Sequence, residues 1–374
     1  MENRNGLKNK VTSRIGNSWQ VGTFWGIPVK VHWTFGLLIM FVSYTALTNG
    51  FKLWQGIGFM LYVFVLFFCV ILHEYGHALS ARKFGVATKD IILSPIGGIA
   101  RLENMPDKPI QEFFIAIAGP FVNLVIGSIL ALVLYFSTGI LTPEFAYARF
   151  DDPVEFARYV LWINFALFLF NLIPAFPMDG GRILRSLLAA KIGKVRATRI
   201  ASNIGRLIAI GFVIYGVFNQ QLTLSLIGLF IFMMAGKEYD QTKVMALLKN
   251  TKVGDIMRTS FTRLHLSDNY TTVIEKYYRE GEHNFLIFDS MGNISGSIPE
   301  LFIKDTIKNN TQDKSVNQMM SQKLANVSPD DLLMEVIEIM RNEGVAIVSV
   351  TENDQLVGVL DRNNIESYLR LKAE

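Results

Sequence analysis

The chain has one cysteine, Cys69, and little charge: Asp, Glu, Lys and Arg together make up 18% of its 374 residues. A lone cysteine excludes an internal disulfide and any cysteine-rich metal site. Scarce charge beside 51% hydrophobic residues excludes an ordinary soluble composition and makes a membrane protein the first expectation. The net charge of +4 is too small to point to nucleic acid, and no nucleic-acid partner is expected. The basic N-terminal stretch MENRNGLKNKVTSR is not followed by a short apolar region with a small-residue cleavage site. No removable signal peptide is therefore expected, and the first apolar segment stays as an anchor.

The apolar content is unevenly spread. Nearly all long uncharged runs lie within residues 31–236, whereas 237–374 carries frequent Asp, Glu, Lys and Asn, with the change near AGKEYDQTK. A spanning helix needs about 20 apolar residues. Candidates are 31–49, 56–79, 111–137, 156–173, 203–218 and 222–236, about six spans, the last two short. Lys and Arg cluster before the first span, after the second (Arg82, Lys83, Lys89, Arg101, Lys108) and after the fourth (Arg182, Arg185, Lys191, Lys194, Arg196, Arg199). If every span crosses, those three places share one side, so both termini are expected in the cytoplasm. The expected organisation is a cytoplasmic segment 1–30, a membrane domain 31–240 and two soluble units, 245–310 and 311–374.

The two soluble units rest on an internal repeat. VIEKYYREG (273–281) recurs as VIEIMRNEG (336–344), and VGDIM (253–257) as VNQMM (316–320), both 63 residues later. Each copy then reads helix, apolar strand, turn, second strand and closing helix, a small α+β unit.

Chemistry concentrates in HEYGH, residues 73–77, at the end of a run from Phe51 to Cys69 that carries hardly any charge. On a helix, His73 and His77 stand at i and i+4, so their imidazoles share a face and can grip one metal ion. Glu74 lies beside them, placed to take a proton from water without ligating the metal. The motif fixes only three residues and occurs by chance. Ionisable groups at membrane depth, however, are functional by default. Cys69, one turn before His73, either faces the same site or is a small buried hydrophobe.

A catalytic zinc wants a third protein ligand and an open position. Asp179, in NLIPAFPMDGGRILR (171–185), is the candidate: Pro174 and Pro177 break the fourth span, and Gly180 and Gly181 precede another helix. The alternative is a solvated turn with a capping aspartate. SPIGGI (94–99) is too short to span; it reads as a re-entrant loop or edge strand beside the site, or as a plain amphipathic loop.

HEYGH followed by NLIPAFPMDGG closely resembles the site-2 protease family of intramembrane zinc metalloproteases. GIPVKVHW (26–33), SPIGGIARLE (94–103) and AGPFVN (118–123) resemble its bacterial and archaeal subgroup with C-terminal CBS domains. The resemblance covers essentially the whole chain; Phe176 stands where the family often has Pro. It implies one Zn2+ per chain held by His73, His77 and Asp179, with Glu74 activating water. Asn123 and Asn171 match polar positions near the site in relatives, where they would hold a substrate backbone or a developing oxyanion; packing between helices through an amide bond explains them equally. His32 either lines an access path or is a buried, bonded histidine. In relatives an edge strand is thought to receive unwound substrate, since a sheet edge compensates the peptide bonds that an opened helix exposes.

The implied fold is thus a multi-pass α-helical membrane protein with a C-terminal cytoplasmic α+β CBS-domain pair. The implied reaction is hydrolysis within or beside the transmembrane segment of a single-span substrate, such as an anti-sigma factor or membrane-bound regulator. The tail resembles a nucleotide-sensing CBS pair but departs from its signature. In GVLDRNN, Asp361 stands where a phosphate-contacting hydroxyl belongs and Asn364 replaces the ribose-binding acid, and the first copy has Pro299 at the former place. Adenosine nucleotide binding is therefore doubtful, and regulation through dimerisation or a partner is favoured, with one degenerate adenosine site as the runner-up. The competing functions are a CBS-regulated transporter or channel, which would need ionisable residues along several spans, and an inactive scaffold, against which the intact Glu74 argues.

Overall fold

The computed structural model describes residues 18–95, 97–102, 106, 108–144, 149–309 and 315–373. The basic segment 1–17 lies outside the described residues, as does Ile96 of SPIGGI. The chain divides into two compact units, Met1–Tyr239 and Asp240–Glu374.

In the first unit two strands, β1 (Ser18–Phe24) and β2 (Ile27–His32), precede helix α1 (Phe35–Thr48) and the long helix α2 (Leu53–Lys83). The strands β3 (Thr88–Ser94) and β4 (Gly97–Leu102) follow, then helices α3 (Pro109–Thr138), α4 (Pro153–Asn171), α5 (Asp179–Ile192), α6 (Lys194–Phe218) and α7 (Leu222–Asn250). Five helices, α2, α3, α4, α6 and α7, are long and apolar enough to cross a membrane. The first expected span, 31–49, is divided instead: its start belongs to β2 and a turn. The remaining helix α1 has 14 residues, about 21 Å at ~1.5 Å per residue against a hydrocarbon core of ~30 Å.

Helix ends follow local chemistry. α3 starts with Pro109 in its first turn and stops at Gly139, whose φ of 69° is the left-handed conformation of a helix terminus. α4 starts at Asp152, whose carboxylate accepts the Val154 N–H at 2.8 Å.

The four strands form one sheet in the order β1-β2-β3-β4, with β2 and β3 parallel and the other pairs antiparallel. Ile27, Val29 and Ile91 on its strands pack on Tyr75 and Ala78 of α2. The sheet therefore lies along the part of α2 that carries HEYGH. Asp90, fully buried on β3, accepts from Lys30 of β2 at 2.7 Å and from Arg101 of β4, tying three strands together. Burial pushes the Asp90 carboxyl up, but the Arg101 and Lys30 donors outweigh it and leave the group below the ordinary carboxylate range.

The second unit contains two three-stranded sheets of one design. β5 (Arg263–His265) runs parallel to β6 (Phe285–Phe288), which pairs antiparallel with β7 (Ile294–Ile298); helix α8 (Tyr270–Glu280) connects the first two strands, and α9 (Glu300–Lys308) follows the third. After the short helix α10 (Val316–Met319), the pattern repeats. β8 (Asn326–Val327) runs parallel to β9 (Ile347–Glu352), which pairs antiparallel with β10 (Gln355–Asp361), with helices α11 (Leu333–Glu343) and α12 (Arg362–Ala373) in the matching places.

The copies are exchanged at their entrances. Arg258, just after VGDIM, makes a two-bond bridge with Val359 of β10, and Ser321, just after VNQMM, makes the equivalent bridge with Ser297 of β7. Each lead-in thus pairs with the other copy's last strand, and Leu286 and Phe288 of one sheet pack with Ile347 and Val359 of the other.

This exchange predicts that fragment 245–374 unfolds in a single cooperative transition, whereas 311–374 alone, deprived of the strand that pairs with Ser321, shows no cooperative thermal transition by circular dichroism. A sharp transition for the shorter fragment would contradict the interdependence of the copies.

Candidate metal centre

The centre is built by three helices. α2 supplies His73 and His77, α5 supplies Asp179 as its first residue, and α3 supplies the floor. His73, His77 and Asp179 are all buried, and among the described residues they are the one group of three or more such side chains whose ligand atoms converge, lying within 4.8 Å of one another. The two imidazole Nε2 atoms are 3.1 Å apart, and each is 3.1 Å from Asp179 Oδ2.

Second partners fix what those atoms offer. His77 Nδ1 lies 2.7 Å from the Ile115 carbonyl oxygen, so it carries a proton and donates. His73 Nδ1 lies 3.3 Å from Asn123 Oδ1 and donates in the same sense. With both Nδ1 atoms protonated, the neutral rings point lone pairs from Nε2 into the centre. Two imidazole nitrogens and a carboxylate oxygen then crowd together, an arrangement that a cation relieves. The centre of a triangle with 3.1 Å sides lies about 1.8 Å from its corners, inside the ~2.0–2.1 Å bonds that zinc makes to nitrogen and oxygen. The donor set therefore fits a zinc ion.

Glycine makes this approach possible. A Cβ on Gly119 of α3 would overlap His77 Nε2 and stand 2.8 Å from His73 Nε2. A Cβ on Gly180 would overlap the carbonyl oxygens of Leu172 and Ile173, so its absence lets α5 start tight under the end of α4. The irregular segment between those helices is itself buried: Ala175 and Phe176 are at most 1% exposed, and Ala175 and Met178 pack on Ala209 of α6 and Ile231 of α7. Irregular backbone at such depth is tolerated because protein covers it.

A buried ionic cluster holds these helices in place. Arg185, two turns into α5 and 3% exposed, donates to Glu112 of α3 at 2.7 Å and to Glu238 of α7 at 2.5 Å, and its guanidinium lies 5.0 Å from the Phe176 ring centre. The sequence marked Arg185 only as a flanking charge. Its role, like Gly119's, depends on which helices become neighbours.

The remaining candidates separate. Glu74 is half-buried, and its Oε2 accepts the Ala100 N–H of β4 at 2.9 Å. Asn123 is fully buried and meets His73, while its Nδ2 has no hydrogen-bond partner among the described residues, leaving an unspent donor beside the centre. Asn171 is half-buried and donates to Leu167 of its own helix at 2.9 Å; the structure does not bring it to the cluster through any hydrogen bond. Cys69 is buried against Asn164 Nδ2 at 3.4 Å, and His32, at the end of β2, bonds Thr34 Oγ1 at 2.7 Å. Within SPIGGIARL, Ser94 ends β3, Pro95 lies in the turn, and Gly97–Leu102 is β4, the edge strand beside the centre.

Helical histidines at i and i+4, an adjacent glutamate and a carboxylate brought from another helix make up a metallopeptidase-type centre. The family follows from the chain's similarity to known proteins. A model of peptidase family M50 matches residues 61–151 and 144–212, and a CBS domain model matches 316–370. The zinc metalloprotease MJ0392 of Methanocaldococcus jannaschii is 31% identical over 352 residues, 93% of this chain and 96% of that protein. Stage IV sporulation protein FB of Bacillus subtilis is 28% identical over 144 residues, 38% of this chain and 46% of that protein. The solved site-2 protease from Methanocaldococcus jannaschii is 35% identical and covers 60% of this chain and 95% of its own, with a TM-score of 0.45. The chain belongs to peptidase family M50, the site-2 proteases, and carries a CBS domain in its C-terminal part. It is a membrane protease with zinc as its cofactor.

Gly119→Ala is expected to strip the metal without unfolding the helices, because the new methyl group takes the space of the His77 Nε2 face. Metal analysis should give well under half of the wild-type zinc at an unchanged helical circular dichroism signal. Full zinc content would show that the floor of the site can yield.

Proposed function

We propose that this chain is an intramembrane metalloendopeptidase that hydrolyses peptide bonds within or beside the transmembrane segments of membrane-anchored substrates. In this reading His73, His77 and Asp179 hold one zinc ion, and Glu74 is the general base. The observation that carries it is the convergence of the three buried ligand atoms over Gly119, with Glu74 one residue from His73. Zinc bound there would supply Lewis acidity, polarising the scissile carbonyl and easing ionisation of water. Glu74 takes the proton of the attacking water and passes it to the leaving amine. The unspent Nδ2 donor of Asn123 is suited to an oxygen that gains negative charge, while its Oδ1 keeps His73 in the correct tautomer. Asn171 has a weaker case, since its amide is already used within α4.

Residues 245–310 and 311–374 are read as a CBS pair at the cytoplasmic end of the chain, with both termini on that side. The substrate class is a single-span protein such as an anti-sigma factor or another membrane-bound regulator, and homodimerisation through the pair is the proposed form of control. The described residues hold one convergent cluster of metal-ligating side chains, which favours the protease reading over a transport path.

The tail departs from a nucleotide sensor in a specific way. Asp361, 2% exposed, is neutralised by Arg258 at 3.4 Å and bonded by Asn284 at 3.2 Å, and Arg258 also pairs with Glu282 at 3.1 Å and bonds Asn364. The balancing cation is thus Arg258 and not the adjacent Arg362. A guanidinium already shared by two carboxylates has little to offer a phosphate.

Two outcomes test these readings. Glu74→Gln should keep its zinc and lose about 10²–10⁴-fold in cleavage of a bilayer-embedded substrate, the usual cost of losing a general base; wild-type turnover would remove Glu74 from the chemistry. Titration calorimetry of fragment 245–374 should give ATP and AMP affinities no tighter than millimolar. Micromolar affinity would make the tail an energy sensor.

A further inference from the structure

The open edge of β4 is already partly occupied by the enzyme's own glutamate. In an antiparallel pair, residues alternate between bonding across the pair and turning their N–H and C=O groups away. Ala100 lies opposite Ile91 of β3, yet its N–H goes to Glu74 Oε2 at 2.9 Å, so Ala100 is an outward-facing position. Gly98, two residues earlier and opposite Leu93, shares that orientation. Gly98 is also where α2 comes close: a Cβ there would stand 2.8 Å from Glu74 Cγ and 3.1 Å from Val70 Cγ1. Two independent features of β4, a bare backbone at Gly98 and a free donor at Ala100, therefore set the position of one side chain.

We propose that Gly98 and the Ala100 N–H position Glu74 in the resting enzyme, and that an extended stretch of substrate backbone adding to β4 takes this N–H for its own carbonyl and releases Glu74 to the cleavage site. The inference rests on the protease reading above. Its physical basis is exclusion: one N–H makes one well-aligned bond, so Glu74 and a carbonyl of an added strand cannot both hold it. The partner is recognised by backbone chemistry, a peptide opened from its helix with unpaired carbonyl oxygens. The general base is held until such a chain is in register, which ties the availability of Glu74 to alignment of the bond to be cut.

The test uses the full-length, zinc-loaded protein in detergent and compares hydrogen exchange at residues 97–102 in wild type, Glu74→Gln and Glu74→Ala. Glu74→Gln, whose amide oxygen still accepts, should keep the Ala100 amide protected, whereas Glu74→Ala should speed its exchange about tenfold or more. Equal rates in wild type and Glu74→Ala would overturn the contact. The exchange half of the proposal is read in Glu74→Ala, where the Ala100 N–H has lost its internal acceptor. The probe is a synthetic single-span peptide of about 20 apolar residues with a central Asn-Gly and flanking lysines. Added in excess, it should slow exchange of the Ala100 amide about tenfold, back toward the wild-type rate, because its carbonyl takes the vacated donor. An Ala100 rate that the peptide leaves unchanged in Glu74→Ala would overturn the exchange. If the zinc-loaded wild type cut no such peptide, that would count against the protease reading; the hydrogen-exchange comparison would still decide the contact on its own.

Discussion

The first unit is organised around a repulsion that has to be relieved. Three electron-pair donors on two helices are pressed into a triangle with 3.1 Å sides, away from water. Buried polar atoms in such contact are costly unless something binds them together, and this donor set is one that a zinc ion would bind. Everything adjacent serves that approach: Gly119 omits a side chain, the Ile115 carbonyl and Asn123 turn the lone pairs inward, and Gly180 lets α5 begin against α4. The cluster of Glu112, Arg185 and Glu238 then fixes α3, α5 and α7 to one another near the start of α5. A charge buried that deeply is not justified by net stability, since buried ion pairs roughly cancel their own desolvation; what it contributes here is a definite place for the helix that begins with Asp179.

The same accounting of polar groups explains why a sheet lies beside the metal centre of a membrane enzyme. A substrate helix in lipid has every backbone group bonded internally, and cleavage requires some of them to be opened. β4 offers replacement partners along its edge, at the height of HEYGH, because Ile27, Val29 and Ile91 pack the sheet on that part of α2. Asp90 keeps the edge in place by drawing Lys30 and Arg101 together across β2, β3 and β4. Glu74 and the edge of β4 are thereby joined by a direct hydrogen bond and not through an intervening loop.

How much of this was legible in the sequence depended on how local each feature is. HEYGH could be read directly, because i and i+4 on a helix is a local geometry, and the tail's repeat was visible as a shift of 63 residues. Asp179 was only a candidate until the fold brought it across from residue 179 to residue 73, and the structure gives Asn171, drawn from the same stretch, no hydrogen bond to the cluster. Gly119, Gly98 and Arg185 were missed as site residues because an absent side chain, or a charge near a helix end, acquires meaning only from its neighbours. Hydropathy joined β2 and α1 into one span, since an apolar strand followed by a short apolar helix has the same average as a single long helix. The exchanged bridges at Arg258 and Ser321 were invisible for the same reason: the pattern shows two copies, not which strand each lead-in meets.

The tail follows the same rule as the centre, with the opposite outcome. At the metal site acceptors converge and leave a place for a cation from outside. Around Asp361 the acceptors Glu282, Asp361 and the Asn364 side chain each meet a different nitrogen of Arg258, so the cation comes from the chain itself. Arg258 belongs to the segment that leads out of α7 and is fixed by two backbone bonds to β10, so the ion pair and the strand exchange hold the same joint. An anionic ligand entering there would have to displace two carboxylates from one guanidinium and leave them buried without their balancing cation. The unit thus supplies its own cation at the joint between its two copies.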